Sequence, residues 1–187
     1  MKLMVMLPGI GYTCDRPLLY YAGRLAASMG YKVIRVSYGG FPMNLRGNIP
    51  GLRDCLDSAE AQAREALGQV DWRQYEETVF TGKSIGTVVA CRLAQSIGAP
   101  ARCVLLTPLP QTFDGPVSEA VAFHGTADPW AETPVIRAAC AEKHVPLHIT
   151  ENANHSLETG DVLRDIANLS GVMEIVRTFL DRGNKCQ

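Results

Sequence analysis

The chain has 187 residues, 47 % apolar and 20 % charged, with 18 Lys and Arg against 19 Asp and Glu for a formal net charge of −1. Length predicts a single domain over residues 1–187 and composition a globular core, while the charge balance leaves no basic excess to neutralise phosphates or hold an anionic membrane. Nucleic-acid and membrane partners are therefore not expected.

Leu3 to Leu7 (LMVML) is continuously apolar, as a strand buried on both faces is, and Pro8-Gly9-Ile10-Gly11 ends it. This run is too short for a signal-peptide core, and no later run approaches the roughly 20 apolar residues that span a bilayer, so a cytoplasmic location is expected. Asp15 is the expected N-cap of a first helix with Pro17 in its first turn. Leu18, Tyr21, Ala22, Leu25 and Met29 then recur at helical spacing until Gly30. The unit repeats with Lys32 to Val36 as strand, a Gly- and Pro-rich loop from Tyr38 to Gly51, and a helix from about Leu52 to Leu67. Further strands are expected at Thr78 to Thr81, Cys103 to Leu106, Ala120 to Phe123 and Pro146 to Thr150, with helices over Ser84 to Ile97 and Thr133 to Lys143. The chain ends in a helix with Val172, Ile175, Val176, Phe179 and Leu180 in one stripe. Whether Asp161 to Leu169 is a separate helix is left open by Ser170-Gly171.

The six cysteines, Cys14, Cys55, Cys91, Cys103, Cys140 and Cys186, include no Cys-x-x-Cys pair and read as reduced core or surface thiols. Only Cys14, just after the first glycine-rich loop, has a place near a site as its alternative reading. No spacing of His, Cys, Asp and Glu points to a metal site, and no metal is expected.

Strictly alternating strands and helices predict a three-layer α/β/α sandwich with a mainly parallel sheet. Ligands of such sheets lie beyond the carboxyl ends of the strands. The loops to inspect are therefore Pro8 to Asp15, Tyr38 to Gly51, Gly82 to Ser84, His124 to Trp130 and Glu151 to Glu158.

Gly82-Lys83-Ser84-Ile85-Gly86 is a GxSxG match between a strand and a helix. A nucleophile on a sharp strand-to-helix turn is crowded two residues to either side, which demands glycine there. The helix N-terminus that follows favours developing negative charge. A serine hydroxyl is a weak nucleophile and needs a base, which in turn needs an orienting acid. Asp128, in His124-Gly125-Thr126-Ala127-Asp128-Pro129-Trp130, and His155, in Asn154-His155-Ser156, each follow a predicted strand and complete the chain order Ser, acid, His.

On these three segments the chain resembles the small, cap-less bacterial α/β-hydrolases, and the resemblance covers nearly its whole length. It implies a minimal α/β-hydrolase fold lacking the N-terminal hairpin and the lid domain. It also implies Ser84 as nucleophile, His155 as general base and then general acid, and Asp128 as the orienting carboxylate. The oxyanion hole would use the backbone N–H of Ile85 and a second from the loop after the first strand, Ile10 before Gly11. Pro8 stands there where the family commonly has histidine. A shallow, open site would favour small or flexible acyl substrates.

Plainer roles compete for several of these residues. Ser84 alone would pass as a helix N-cap, and Asp128 as a cap of the turn before Pro129. Lys83-Ser84 is no phosphate-binding loop, since Glu77 occupies the position of its first glycine. His124 reads as a structural contact at a strand end, and His144 and His148 as surface or packing residues. In the 38–51 loop, Phe41, Met43, Leu45 and Arg46 lie at the catalytic edge. Phe41, Arg46, Lys83 and Trp130 are the substrate-lining candidates, with Arg46 or Lys83 as a selector for an acidic substrate group. The expectation is a serine hydrolase that cleaves a small carboxylic ester or thioester without cofactor. The alternative is a non-catalytic module of the same fold that binds a small ligand or protein partner.

Overall fold

The computed structural model describes residues 1–42 and 48–182. Six strands, β1 (Lys2–Leu7), β2 (Tyr31–Arg35), β3 (Glu77–Lys83), β4 (Ala101–Leu106), β5 (Ala120–Gly125) and β6 (Leu147–Thr150), form one sheet in the order β2-β1-β3-β4-β5-β6. Every pairing is parallel. The helices α1 (Pro17–Ser28), α2 (Ile49–Ala66), α3 (Ile85–Ser96), α4 (Thr133–Glu142) and α5 (Val162–Arg182) cover both faces. Short 3₁₀ turns stand at Trp72–Gln74 and Pro110–Phe113.

Alternation along β1 distributes the core. Leu3, Val5 and Leu7 pack with Leu56 and Ala59 of α2, Val88 and Val89 of α3 and Ile136 of α4. Met4 and Met6 face the other way, with Leu18 and Leu19 of α1 and Val172, Val176, Phe179 and Leu180 of α5. The result is a three-layer sandwich around a sheet buried on both faces, the arrangement that continuously apolar strands demand. Among the described residues no strand pairs outside β2, and no helix is long and apolar enough to cross a membrane.

Two helix starts differ from expectation. The N-cap of α1 is Arg16, and its side chain makes no capping hydrogen bond. Asp15 instead pairs with Arg35 of β2, and the first-turn N–H of Leu18 donates to the Tyr12 hydroxyl at 3.0 Å. A phenol from the preceding loop thus takes the place of the acidic cap. Helix α2 begins at Ile49, where the Asn48 side chain accepts from the N–H of Gly51. At the other end of the chain, α5 runs unbroken from Val162 to Arg182. The stripe from Val172 to Leu180 is buried against the sheet, and that burial outweighs the helix-weakening Ser170-Gly171.

The chain enters at β1, adds β2 on one side, and then places β3 on the other. The sheet's switch point therefore lies between β1 and β3, where Leu7 registers with Gly82. The loop after β1 and the turn after β3 emerge there side by side, at the crevice where open parallel sheets place their ligands.

Candidate active site

Ser84 occupies the tight turn between β3 and α3 with φ 56° and ψ −121°, a region that side-chain-bearing residues rarely adopt. Its N–H extends the β3–β4 ladder to the carbonyl of Leu106. Its carbonyl accepts from both the N–H and the hydroxyl of Thr87. The flanking glycines are sterically required. A Cβ on Gly82 would lie 2.2 Å from the carbonyl oxygen of Gly86, and one on Gly86 would lie 2.1 Å from that of Leu7. The turn can press against β1 only because both side chains are absent.

Asp128 and His155 come from the loops after β5 and β6, which are stitched together. Ala127 donates to the carbonyl of Ala153 at 2.9 Å, and the N–H of Asn152 to the hydroxyl of Thr126 at 2.7 Å. Asn154 folds the histidine turn by accepting from the N–H groups of Ser156 and Glu158. The three side chains then meet: His155 Nδ1 is 2.7 Å from Asp128 Oδ2, and Nε2 is 2.8 Å from Ser84 Oγ. With a carboxylate accepting at Nδ1, the proton sits on Nδ1, and the free pair of Nε2 accepts the serine hydroxyl. Asp128 keeps its other oxygen on the N–H of Trp130 at 2.9 Å.

Burial is the largest influence on the His155 imidazole and pushes its pKa below the ordinary histidine value. The hydrogen bond it donates to Asp128 opposes this, and the positive charge of Lys83 adds to it. His124 is wholly buried, donating to or accepting from Thr133 Oγ1 at 3.0 Å, with Nδ1 3.9 Å from Asp128, too far for a hydrogen bond. Its burial likewise lowers its pKa, so it stands as a neutral packing group with no access to a ligand.

A cavity of about 200 Å³ opens on Ser84 and His155, lined by Ile10, Leu52, Ile85, Leu109 and Trp130. The Ile85 N–H opens α3, where the first N–H groups of a helix lack intrahelical partners. Ile10 sits in a two-residue turn closed by Gly9 N–H to the carbonyl of Tyr12 at 3.0 Å and by the reverse bond at 3.3 Å. Of the two amides proposed from this loop, Ile10 borders the cavity. Gly11 borders only a neighbouring groove of about 430 Å³.

The substrate-lining candidates separate. Trp130 lines the cavity, with its ring centre 5.8 Å from that of His155. Phe41 lies in the neighbouring groove, edge-on to Tyr38, whose hydroxyl donates to the carbonyl of Pro8 and draws this segment to the other side of the loop after β1. Lys83 does not line the cavity either: its ammonium lies 4.9 Å from the centre of the Tyr12 ring, and the residue is 3 % exposed. An exposed selector of acidic groups is therefore not what Lys83 is. Arg46, with Met43 and Leu45, lies outside the described residues, as does Cys186. Cys14 is buried beside the same neighbouring groove, 3.6 Å from the carbonyl oxygen of Val36, and burial pushes its thiol pKa up.

Leu52, Leu109, Tyr12 and Tyr38 are absent from the sequence reading of the site. For Leu109 a signal existed, since it lies in the loop after β4 at the same carboxyl edge as the other loops. The tyrosines act through tertiary contacts that no local pattern encodes. Among the described residues, no three His, Cys, Asp or Glu side chains converge as metal ligands.

No protein-family model matches the chain, and no curated protein matches it in sequence. Solved structures do match in architecture. A structure of an alpha-beta serine hydrolase homologue from Coxiella burnetii aligns over 96 % of this chain and 85 % of its own, at TM-score 0.63 and 14 % identity. An a/b serine hydrolase without lid from Xanthomonas campestris aligns over 92 % and 81 %, at TM-score 0.55 and 16 % identity. An esterase from Pyrococcus furiosus aligns over 97 % and 81 %, at TM-score 0.66 and 13 % identity. The chain has the α/β-hydrolase fold.

Proposed function

We propose that this α/β-hydrolase-fold protein is a serine hydrolase that cleaves small carboxylic esters or thioesters through an acyl-enzyme on Ser84. The observation that carries this reading is the continuous relay from Asp128 through His155 to Ser84, at 2.7 and 2.8 Å, at the wall of an apolar cavity. A hydroxyl so placed is a poised nucleophile, not a simple helix cap: its oxygen makes no capping hydrogen bond to α3.

In the first half-reaction Ser84 Oγ attacks the acyl carbonyl carbon while His155 Nε2 takes the hydroxyl proton. Asp128 stabilises the imidazolium through Nδ1. The carbonyl oxygen becomes an anion facing the amides of Ile85 and Ile10, and a pre-aimed pair of donors stabilises that charge more than the neutral ground state. As the tetrahedral species collapses, the alcohol or thiol leaves with the proton from Nε2. Water, deprotonated by the same nitrogen, then attacks the acyl-enzyme, releases the carboxylic acid and restores the serine hydroxyl. The small cavity walled by Leu52, Leu109 and Trp130 suits a short apolar acyl group, and no cofactor enters any step.

The test is steady-state hydrolysis of nitrophenyl acetate and butyrate and of the matching thioesters. Ser84→Ala should retain the wild-type circular dichroism spectrum and lose roughly 10,000-fold or more in kcat, as nucleophile removal does in triad enzymes. Equal rates for the two proteins would remove Ser84 from the mechanism.

A further inference from the structure

Lys83 precedes the serine and is almost wholly buried, an uncommon place for an ammonium. Its side chain runs beneath the loop after β1: a Cβ on Gly9 would lie 3.3 Å from Lys83 Cδ and 3.2 Å from Ser84 Cβ. The ammonium ends over the Tyr12 ring, 4.9 Å from its centre. Tyr12 is the residue that closes the Gly9–Tyr12 turn and caps α1 through its hydroxyl. The lysine thus touches both ends of the turn that presents Ile10 to the cavity.

We propose that Lys83 is a positioning residue of this site, its ammonium seated on Tyr12 to fix the Gly9–Tyr12 turn and to hold a buried positive charge beside the Ser84–His155–Asp128 cluster. The proposal rests on the acyl-transfer reading above. A cation against a desolvated aromatic face is attracted by the ring's charge distribution, so the contact holds the turn at a defined height over Ser84. Misplacing one oxyanion donor by a fraction of an ångström weakens only the transition state, since the ground-state carbonyl needs it less.

The charge has a second consequence. Lys83 is faced by Tyr12 from the loop after β1, by Asp128 from the loop after β5, and by Glu158 and His155 from the loop after β6. Arg16 acts on Tyr12, and His124 acts on His155. Burial lowers the Lys83 pKa to about 7, with Asp128 and Glu158 pulling the other way. Over the more acidic range in which His155 titrates, Lys83 is therefore protonated and opposes protonation of the base. Removing the charge lets His155 keep its proton to higher pH.

Lys83→Met preserves the buried stem and removes the charge, whereas Lys83→Arg keeps a cation. Below pH 7, where the lysine carries its proton, Lys83→Met should lose roughly 10- to 100-fold in kcat with KM little changed, the scale set by small misplacement of a catalytic group. Its rising limb in the pH–rate profile should move to higher pH, and that of Lys83→Arg should stay in place. A Lys83→Met enzyme with wild-type kcat and limb, or one whose limb Lys83→Arg reproduces, overturns the assignment. If Lys83→Met fails to fold, Tyr12→Leu, which removes the ring under the ammonium, takes its place: a comparable loss in kcat supports the assignment, and wild-type kcat overturns it. A wild type that a fluorophosphonate labels on Ser84 while Lys83→Met behaves identically sinks only the Lys83 role. A wild type that is neither labelled nor active sinks the hydrolase reading as well.

Discussion

At the scale of single residues, the site combines a strained serine with a histidine tuned by burial. The Ser84 backbone, at φ 56° and ψ −121°, lies where glycine is comfortable and other residues are not. Ser84→Gly should therefore be more stable than Ser84→Ala by about 1 kcal/mol in urea unfolding, the strain relieved less the extra chain entropy of glycine. Equal stabilities would mean that the strain in the turn is no larger than the chain entropy glycine loses. For His155 the folded pKa lies below the ordinary histidine value, so the neutral base persists to more acidic pH. The rising limb of kcat/KM should have its midpoint below pH 6.5. A midpoint above that value would contradict the burial that dominates this group. That Ser84, Asp128 and His155 would meet was legible in the sequence because a glycine-flanked elbow and a loop after each strand confine where such residues can stand. The burial of Lys83 against Tyr12 was not, because it depends on a tertiary contact with the loop after β1 that no local pattern encodes.

At the scale of elements, hydrophobic periodicity located all six strands and, apart from the start of α5, the five α-helices among the described residues, since each buries one stripe or both faces against a neighbour. Ends were less legible. The Leu18 N–H of α1 finds its acceptor in Tyr12, through a fold that no local pattern reveals, and the continuity of α5 depends on burial beyond Gly171. The C-terminal end of α5 is held by a buried polar cluster. Arg102 of β4 donates to the carbonyls of Phe179 and Leu180, stacks on the Phe179 ring and pairs with Glu77 of β3, which also accepts from Tyr31 of β2. Arg102→Ala would leave Glu77 short of its main partner and take a buried donor from the carbonyls of Phe179 and Leu180. Equilibrium denaturation should show a loss of about 3 kcal/mol or more, the cost of breaking a buried ion pair from one side. A loss under about 1 kcal/mol, the size of an exposed pair, would place this cluster in water rather than in the core.

For the whole molecule, the parallel sheet and its two helical layers followed from the alternation of elements. The strand order, and with it the crevice between β1 and β3, required the structure. That crevice gathers five loops around the serine, and a buried lysine lies beneath it. Folded Lys83 releases its proton near pH 7, whereas the unfolded chain holds it up to the ordinary value of 10.5. Between these limits the unfolded state binds more protons, so stability rises with pH. The melting temperature of wild type should gain between pH 7 and pH 9 relative to that of Lys83→Met. Parallel curves for the two proteins would argue that Lys83 is solvated in the fold.

The central claim is an activated serine, and intact-protein mass spectrometry after treatment with a fluorophosphonate at neutral pH tests it most directly. One covalent adduct is expected on wild type, mapped to the peptide containing Ser84, and none on Ser84→Ala. Folded wild type that stays unmodified under the same treatment, or an adduct on another residue, would contradict it and favour a binding module built on a hydrolase fold.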